Sequence, residues 1–455
     1  MYSVLDFINE YSDCFGEIGS LSKLHHLTVD PTFPPVIQAP RKIPFALRNK
    51  LKVELDRMER LGVICKVDGP TDRVSNLVLV EKSSGQLRVC LDPRDLNKAI
   101  KRHHYQLPTA EDIIARTAGA KYFSKLDASS GYWQLLLEEQ SSKLLTFHSP
   151  FRRYSFKRLP FGVNCASKNF QAEVAEILEG LDGCANAQDD IFIWGDTKQS
   201  HDSRLRDVLS CIRSSGLKLN PSKCVFGVNE ITYLGHRLTA DGVKPDPRKI
   251  SAICDMPAPK NKLELQRFLV MVTYLGKFLP NLSTITAKLR ELLEKDTEWS
   301  FDTPQQQAFL TLKSTVTNSP VLKYFDPSLP IRVSSDSSKS GIGATLEQMH
   351  SDHWCPVAYA SRSMTQAEID YSQIEKEILS IVFACERFND FLYGQDFIAE
   401  NDHKPLQSLF FKPILKTPPR IQRFLLWLQK YKFQSVQPMD HEKSGRATSA
   451  EGTSF

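Results

Sequence analysis

Apolar residues follow two different spacings along the chain, and the spacing changes from region to region. Over 46–63, apolar residues interleave with charged ones in the pattern of an amphipathic helix. Over 248–295 the pattern is again mostly helical, with breaks at Pro257, Pro259 and Pro280. The sequence therefore predicts a mixed strand-and-helix region over about 46–240, a helical region over about 241–300, and a second mixed region over about 325–437.

Length, charge and cysteine usage narrow the class of protein. A chain of 455 residues corresponds to about three domains of ordinary size. Lys and Arg total 58 and Asp and Glu total 53, so the formal charge of +5 permits a nucleic-acid partner without arguing for one. We expect no membrane span, because no apolar run approaches the roughly 18 residues that a span needs, and no secretory signal, because residues 1–16 contain no basic segment leading into an apolar run. Ten cysteines without a Cys-x-x-Cys pair favour reduced thiols in an intracellular protein over a structural zinc site.

Acidic residues stand at the ends of two strand-like runs. The run 122–126 ends on Asp127, and Asp189 and Asp190 directly precede the apolar run 191–194. Three carboxylates at one edge of a sheet repel one another unless cations lie between them, and two Mg²⁺ ions about 3.5–4 Å apart answer that need. An Asp-Asp pair alone is also an ordinary turn dipeptide, so the surrounding residues have to decide between the two interpretations.

Five short motifs surround these acids. They are 87–97; 123–127 with the Ser-Gly-Tyr sequence at 130–132; 159–163; 189–191; and the Tyr-Leu-Gly-His sequence at 233–236. In this order and at these spacings, they resemble the motifs of reverse transcriptases from the fingers to the primer grip. The sequence as a whole most resembles the reverse transcriptase and ribonuclease H (RNase H) region of a gypsy-type LTR retrotransposon Pol polyprotein, over about residues 1–436.

The resemblance implies an α+β and α/β multidomain fold. It consists of a right-hand polymerase with fingers, palm and thumb, followed by a connection and an RNase H-like domain. The implied boundaries are 1–45 for an N-terminal extended arm, 46–240 for fingers and palm, 241–300 for a helical thumb, 301–328 for the connection, 329–437 for a C-terminally truncated RNase H-like domain, and 438–455 for a disordered tail.

The resemblance also assigns roles around the first acidic site. Asp127, Asp189 and Asp190 are implied as catalytic ligands of two Mg²⁺ ions, with Mn²⁺ as an alternative ion. Arg88 is implied as a contact to the incoming triphosphate, because a guanidinium donates paired hydrogen bonds to phosphate oxygens. Lys82 is implied as a second phosphate contact.

Further implied contacts concern the sugar, the base and the primer. A ring at Tyr132 would clash with a ribose 2′-OH and so favour deoxynucleotides, although a half-buried structural tyrosine is the alternative interpretation. Phe161 and Gly162 would shape the floor beneath the nucleotide. The implied primer grip consists of Tyr233, Leu234, Gly235 and His236.

Two segments near the Asp pair depart from the family pattern. The family has tyrosine two residues before the pair, where this chain has Ala187, so a large contact near the primer end is lost. The preceding residues, 183–186, have poor β-propensity. The composition of 167–169 also departs from the family just after the Phe161-Gly162 motif. These departures predict a damaged scaffold around retained acids.

A second set of acids lies in the last third of the chain. Asp336 ends a strand-like run, Glu377 lies in a predicted helix, and Asp402 follows another strand-like run. Helical periodicity does not separate Glu377 from Glu375; the resemblance to retroelement RNase H selects Glu377. The set is implied as the catalytic ligands of a second two-Mg²⁺ site. The family's closing acidic segment has no counterpart, because Asp440 is the only aspartate after Asp402 and lies in a polar tail.

Together these features predict an RNA-directed DNA polymerase with RNase H activity. The expected partners are an RNA template, a DNA primer, RNA–DNA hybrid and deoxynucleoside triphosphates, with no membrane. The expected location is intracellular, in a cytoplasmic retroelement particle with access to the nucleus. The alternative is a decayed or co-opted copy that binds nucleic acid without catalysis, which the retained acids disfavour and Ala187 favours.

Overall fold

The computed structural model describes residues 4–81, 85, 87–101, 105–106, 108–401, 405–410 and 413–436. The chain divides into two compact units, Met1–Asn229 and Glu230–Phe455, where the sequence predicts three modules. The division lies inside the predicted 46–240 region, so the last strands of that region belong to the second unit. Lys82, Asp402 and the predicted tail 438–455 lie outside the described residues.

The first unit contains seven α-helices and eleven strands among its described residues. The helices are α1 Val4–Glu10, α2 Phe45–Arg60, α3 Arg94–Ala99, α4 Ala110–Ala115, α5 Glu139–Leu144, α6 Ala166–Ile177 and α7 Lys198–Ser215. The strands are β1 Leu24–His25, β2 Ile64–Lys66, β3 Asn76–Glu81, β4 Leu87–Asp92, β5 Tyr122–Asp127, β6 Leu136–Leu137, β7 Thr146–His148, β8 Arg153–Phe156, β9 Cys184–Ala187, β10 Asp190–Gly195 and β11 Val225–Val228.

A four-stranded sheet in the order β11-β5-β10-β9 forms the centre of this unit. Helix α6 packs against β9, and α7 packs against β10. Helix α7 begins at a capping box between Thr197 and Ser200 and ends at Gly216, whose positive φ of 78° suits glycine. Fully buried side chains such as Leu126 and Ile193 anchor β5 and β10 in the core, so the ends of these strands have fixed positions.

The N-terminal region differs from the predicted extended arm over 1–45. Helix α1 and a short 3₁₀ helix, Ser12–Cys14, occupy its beginning. Both pack on α7: Arg213 donates to Asp13 Oδ2 at 2.8 Å, and Tyr11 lies 3.3 Å from the Ser210 hydroxyl. Residues 4–14 therefore form part of the folded unit, and the extended description applies to the proline-containing stretch that follows.

The second unit begins with three strands and ends with a larger sheet. Its strands are β12 Glu230–Tyr233, β13 His236–Thr239, β14 Gly242–Pro245, β15 Ile331–Ser337, β16 Gly341–His350, β17 His353–Ser363, β18 Asp396–Glu400 and β19 Lys432–Val436. Its helices are α8 Pro247–Cys254, α9 Lys262–Tyr274, α10 Leu282–Glu291, α11 Thr303–Thr317, α12 Gln366–Ile369, α13 Gln373–Arg387, α14 Asn389–Leu392, α15 Pro405–Phe410 and α16 Pro419–Leu428.

Strands β12, β13 and β14 form an antiparallel sheet before the helices begin. The predicted helical region 241–300 thus starts with a strand, and its helices begin at Pro247 behind the Asp246 N-cap. The later sheet has the order β17-β16-β15-β18-β19, with β15, β18 and β19 parallel. Helix α13 packs on β15 and β16. Among the described residues, no helix combines the length and the apolar character that crossing a bilayer requires.

Candidate active sites

The acids of the first site meet at the ends of two neighbouring strands. Strands β5 and β10 are antiparallel, and Asp127 at the end of β5 is the direct cross-strand partner of Asp190 at the start of β10. Directly opposed residues on adjacent strands lie about 4.5–5.5 Å apart at their Cβ atoms. The fold therefore brings two of the predicted acids together, with Asp189 in the turn immediately before Asp190.

A network of buried amides holds the turn that carries Asp189. Gln188 adopts a positive φ of 58°, and its backbone N–H donates to Gln171 Oε1 at 3.0 Å. The Gln171 side chain donates to the Asn186 carbonyl at 3.1 Å, and the Asn186 side chain donates back to the Gln171 carbonyl at 2.8 Å. These bonds explain why β9 forms despite its poor β-propensity, so the departure at 183–186 has not removed the strand.

Two lysines each lie beside one of the three acids in this structure. Lys223 Nζ lies 3.2 Å from Asp127 Oδ1, and Lys125 Nζ lies 3.6 Å from Asp190 Oδ2. Burial raises the pKa of Asp189 and of Asp190, and the charge of Asp127 raises both further. Asp189 Oδ1 is buried without a hydrogen-bond partner among the described residues. The site therefore carries more negative charge than its lysines offset comfortably, which favours a further cation.

The acids do not already converge as a preformed cage. In the part of the chain that the structure describes, no group of three or more His, Cys, Asp or Glu side chains is arranged closely enough to hold a metal ion. Two of the three carboxylates are paired with lysines here, Asp127 with Lys223 and Asp190 with Lys125.

An aromatic floor adjoins these acids. The rings of Tyr132 and Phe161 lie 4.8 Å apart, and the Arg88 guanidinium lies 4.0 Å from the Phe161 ring centroid. The Tyr132 hydroxyl interacts with the side chains of Asp189 and Ser167, and burial raises the pKa of Tyr132. Tyr132, Phe161 and Arg88 are thus assembled beside the acidic turn, while Lys82 lies outside the described residues.

Gly162 has no room for a side chain. Its φ is +106°, and a Cβ atom there would lie 1.9 Å from the Leu91 carbonyl oxygen. The same close approach lets Asn97 donate to the Gly162 carbonyl at 3.0 Å. The glycine therefore joins the Phe161 loop to β4, the strand that carries Arg88.

We expect Gly162→Ala to lower the free energy of unfolding by about 3 kcal/mol, from backbone strain and displacement of β4. Gly180→Ala is the matched control, because Gly180 has a φ of +79° with open space around its Cβ position, and we expect it to cost about 1 kcal/mol. Denaturant unfolding measures both. An equal decrease in the free energy of unfolding for the two variants would show that the close approach to Leu91 does not contribute to the cost.

In the second site, Asp336 and Glu377 occupy different environments. Asp336 is exposed on β15 and lines a cavity of about 260 Å³ together with Glu400, Asn401 and Asn281. Glu377 is 2% exposed and does not line this cavity. Because successive residues of a strand point to opposite faces, Asp336 points away from the face of Ser335 and Ser337, which packs on α13.

Both carboxylate oxygens of Glu377 accept hydrogen bonds from uncharged side chains. Ser337 donates to Oε1 at 2.7 Å, with Gln373 as a second donor, and Asn401 donates to Oε2 at 3.0 Å. The structure thus connects Glu377 to the residues flanking Asp336 and Asp402 but does not direct it into the cavity. Asp402 itself lies outside the described residues.

The structure separates Glu377 from Glu375, which periodicity did not. Glu375 accepts from the Ser372 backbone N–H at 2.9 Å in the capping box of α13, and it pairs with Arg420 at 2.9 Å. Glu375 therefore caps the N-terminal end of α13 and pairs that end with Arg420. Glu400 and Asn401 were not among the predicted site residues, although Asn401 directly precedes Asp402.

The predicted primer-grip residues form a tight hairpin in the second unit. Tyr233 on β12 pairs with His236 on β13, and Leu234 and Gly235 make the two-residue turn with φ of 47° and 79°. A Cβ atom at Gly235 would lie 2.7 Å from the Tyr274 hydroxyl. The positive φ favours glycine at this turn, and a larger residue would also displace the ends of the Lys249 and Tyr274 side chains.

Comparisons with known families identify both parts of the chain. Residues 80–238 match the family described as reverse transcriptase (RNA-dependent DNA polymerase). Residues 301–399 match the RNase H-like domain found in reverse transcriptase. The chain is thus similar to a reverse transcriptase domain over the first of these ranges and to an RNase H-like domain over the second. The match of the reverse transcriptase domain contains all three acids of the first site.

Relatives of this reverse transcriptase region are transposon polyproteins. The retrovirus-related Pol polyprotein from transposon 412 of Drosophila melanogaster is 33% identical over 79% of this chain and 30% of its own length. The transposon Tf2-3 polyprotein of Schizosaccharomyces pombe is 31% identical over 79% of this chain and 27% of its own length. The chain thus spans less than a third of these relatives, and it is similar to the reverse transcriptase and RNase H region of retrotransposon Pol polyproteins.

Solved structures confirm the multidomain fold. A foamy viral protease-reverse transcriptase in complex with double-stranded DNA has a TM-score of 0.83 at 21% identity, over 94% of this chain and 91% of that chain. The foamy viral protease-reverse transcriptase in complex with RNA/DNA hybrid has a TM-score of 0.78 at 21% identity, over 98% of this chain and 62% of that chain. The predicted order of a polymerase fold followed by an RNase H-like domain is therefore confirmed.

Proposed function

We propose that this chain is an RNA-directed DNA polymerase with RNase H activity on RNA–DNA hybrid. The carrying observation is the cross-strand pair Asp127 and Asp190 with Asp189 in the adjoining turn, on the strands of the reverse transcriptase domain. The related foamy viral proteins bind double-stranded DNA and RNA/DNA hybrid, which supports an RNA template, a DNA primer and their hybrid as partners here.

Two Mg²⁺ ions fit the donor set of the first site. Asp127, Asp189 and Asp190 supply carboxylate oxygens, the ligands that Mg²⁺ prefers, and one of them, Asp189 Oδ1, is buried with no partner among the described residues. The raised pKa values of Asp189 and Asp190 add support, because a bound cation would offset the burial of their charge. When bound, the ions would activate the primer hydroxyl and stabilise the departing pyrophosphate. Mn²⁺ is proposed as an alternative ion.

The chain's own residues position the nucleotide. Arg88 lies over the Phe161 ring, which fixes its guanidinium beside the acids for paired hydrogen bonds to the triphosphate. Phe161 and Gly162 form the floor, held to β4 by the close approach of Gly162 to Leu91. The Tyr132 ring packs against Phe161 and Phe170, and we propose that the sugar of the nucleotide lies against this ring.

We expect Tyr132→Ala to raise the use of ribonucleotides relative to deoxynucleotides by about tenfold or more, because the ring that would clash with the 2′-OH is removed. The measurement is the ratio of kcat/KM values for a ribonucleoside and a deoxynucleoside triphosphate. Tyr132→Phe is the matched control: it keeps the ring and loses only the hydroxyl that contacts Asp189, so the ratio is expected to stay unchanged. An unchanged ratio in the alanine variant would show that Tyr132 has a structural role and does not select the sugar.

Two features of the structure favour a second candidate function, nucleic-acid binding without catalysis. Ala187 stands where the family has a tyrosine ring, two residues before the Asp pair. In the second site, the Glu377 carboxylate is hydrogen-bonded to uncharged side chains instead of facing the cavity. Primer extension on an RNA template, run beside hybrid cleavage on the same preparation, separates the candidates. Extension or cleavage that requires the corresponding acids supports the enzyme. Tight binding of primer–template with neither activity supports the second candidate.

A further inference from the structure

Gln134 is a fully buried polar side chain that the nucleotide and metal contacts do not use. It lies two residues after Tyr132, at the end of the 3₁₀ helix Gly131–Gln134, and is 0% exposed. Its Nε2 donates to the Ser129 carbonyl and to the Lys218 carbonyl, both at 2.8 Å. Its Oε1 accepts from the Lys218 backbone N–H at 2.8 Å. One amide therefore joins two separate backbone segments.

Both of these segments lead directly to Asp127. Ser129 belongs to the turn that follows Asp127, and its N–H donates to the Lys218 carbonyl at 2.9 Å. On the other segment, the Asn220 N–H donates to the Asp127 carbonyl at 2.8 Å. The same segment ends at Lys223, whose ammonium group lies 3.2 Å from Asp127 Oδ1. The position of Lys223 thus depends on the segment that Gln134 holds.

We propose that Gln134 is a positioning residue of the polymerase site, which fixes the 217–223 segment against the turn after Asp127 and thereby sets Lys223 beside the catalytic carboxylate. The effect on turnover rests on the proposed polymerase function. The contact between the two segments is a property of the chain alone.

The chemistry of the site requires an amide. The side chain donates to two carbonyl oxygens and accepts from one N–H, a combination that a single glutamine amide supplies. Methionine has a similar shape and supplies none of these, leaving the Lys218 N–H without its acceptor. Gly19 packs against the same amide, because a Cβ there would lie 2.2 Å from Gln134 Oε1, so the side chain has little space in which to rearrange.

Hydrogen exchange tests the contact without any need for activity. In the full chain, we expect Gln134→Met to raise exchange about tenfold in peptides covering 128–131 and 216–224, with 184–190 unchanged. Gln171→Met is the matched control, since Gln171 is equally buried but holds the Asp189 turn, and we expect the opposite pattern. No change at 216–224, or the same peptides loosened by both variants, would overturn the proposal.

Extension kinetics test the role in positioning. We expect Gln134→Met to lower kcat about tenfold with little change in the KM for nucleotide, and to have no further effect in a Lys223→Ala background. A loss that adds fully to that of Lys223→Ala would assign Gln134 a purely structural role and overturn the proposal. If the parent chain does not extend primers, the proposed function fails, and the exchange pattern alone then decides whether Gln134 holds the segment.

Discussion

Asp189→Asn is expected to reduce primer extension by about 1000-fold or more while leaving the binding of primer–template largely intact. The loss of one carboxylate from a two-cation site removes several kcal/mol of transition-state stabilisation, and each 1.4 kcal/mol corresponds to a factor of ten in rate. Asp189 is half-buried in the turn directly before Asp190, and asparagine has nearly the same shape, so the surface of the chain changes little. Single-turnover extension and a filter-binding assay on the same preparation measure the two effects.

The same substitution is expected to stabilise the chain when divalent cations are removed. Burial and the charge of Asp127 raise the pKa of Asp189, so the ionised carboxyl is unfavourable in the folded state. Asparagine removes that charge, and a gain of about 1 kcal/mol would raise Tm by about 2–4 °C. Loss of activity with a gain in stability is typical of a functional residue and not of a structural one.

Asp196→Asn is the matched control for both measurements. Asp196 follows the far end of β10, is exposed, and accepts from the Ser200 hydroxyl at 2.6 Å, which lowers its pKa. We expect unchanged extension and no gain in Tm, because its carboxylate is favourably bonded. Extension by Asp189→Asn at the parent rate would contradict the assignment of the metal site.

The sequence predicted those parts of the fold in which local pattern and tertiary packing agree. Helix α2 follows from the amphipathic spacing over 46–63, and β15 from the run that ends near Asp336. The strands that carry Asp127 and Asp190 were also predicted, because apolar runs next to turn residues leave few alternatives. In each case the burial that fixes the element is visible in the residues of the element itself.

Strand β9 was predicted to be weak because its residues have poor β-propensity. What holds it is Gln171, a residue on a different element, whose amide contacts Asn186 and Gln188. The residue pattern along one strand does not indicate that a hydrogen-bond donor on a helix 15 residues earlier will contact it. For the same reason Lys223 and Gln134 were missed, since Lys223 contacts Asp127 from 96 residues away and Gln134 contacts Lys218 from 84 residues away.

The predicted second site shows where motif and geometry diverge. Spacing and resemblance select Asp336 and Glu377, and the structure places one of them on the exposed cavity and the other beneath β15 among neutral donors. Strand alternation accounts for the difference, because Ser337, and not Asp336, faces Glu377. Which face of the strand a motif residue occupies depends on the register of the whole sheet.

This difference in burial predicts a split between two variants of the RNase H-like domain. We expect Asp336→Asn to reduce cleavage of RNA–DNA hybrid by about 1000-fold, as expected for a lost metal ligand, while the free energy of unfolding changes by about 0.5 kcal/mol or less. Glu377→Gln is expected to lower the free energy of unfolding by about 1–3 kcal/mol, because one oxygen that accepts a buried hydrogen bond becomes a donor facing another donor.

Denaturant unfolding and hybrid cleavage on the same two variants test this split. If Glu377 acts only by holding Ser337 and Asn401, Glu377→Gln should retain measurable cleavage under conditions where it remains folded, whereas Asp336→Asn should retain almost none. Complete loss of cleavage in a Glu377→Gln variant of parental stability would instead make Glu377 a direct metal ligand. That result would require its carboxylate to leave the three donors that hold it here, so the binding of a metal would reorganise the second site as well as fill it.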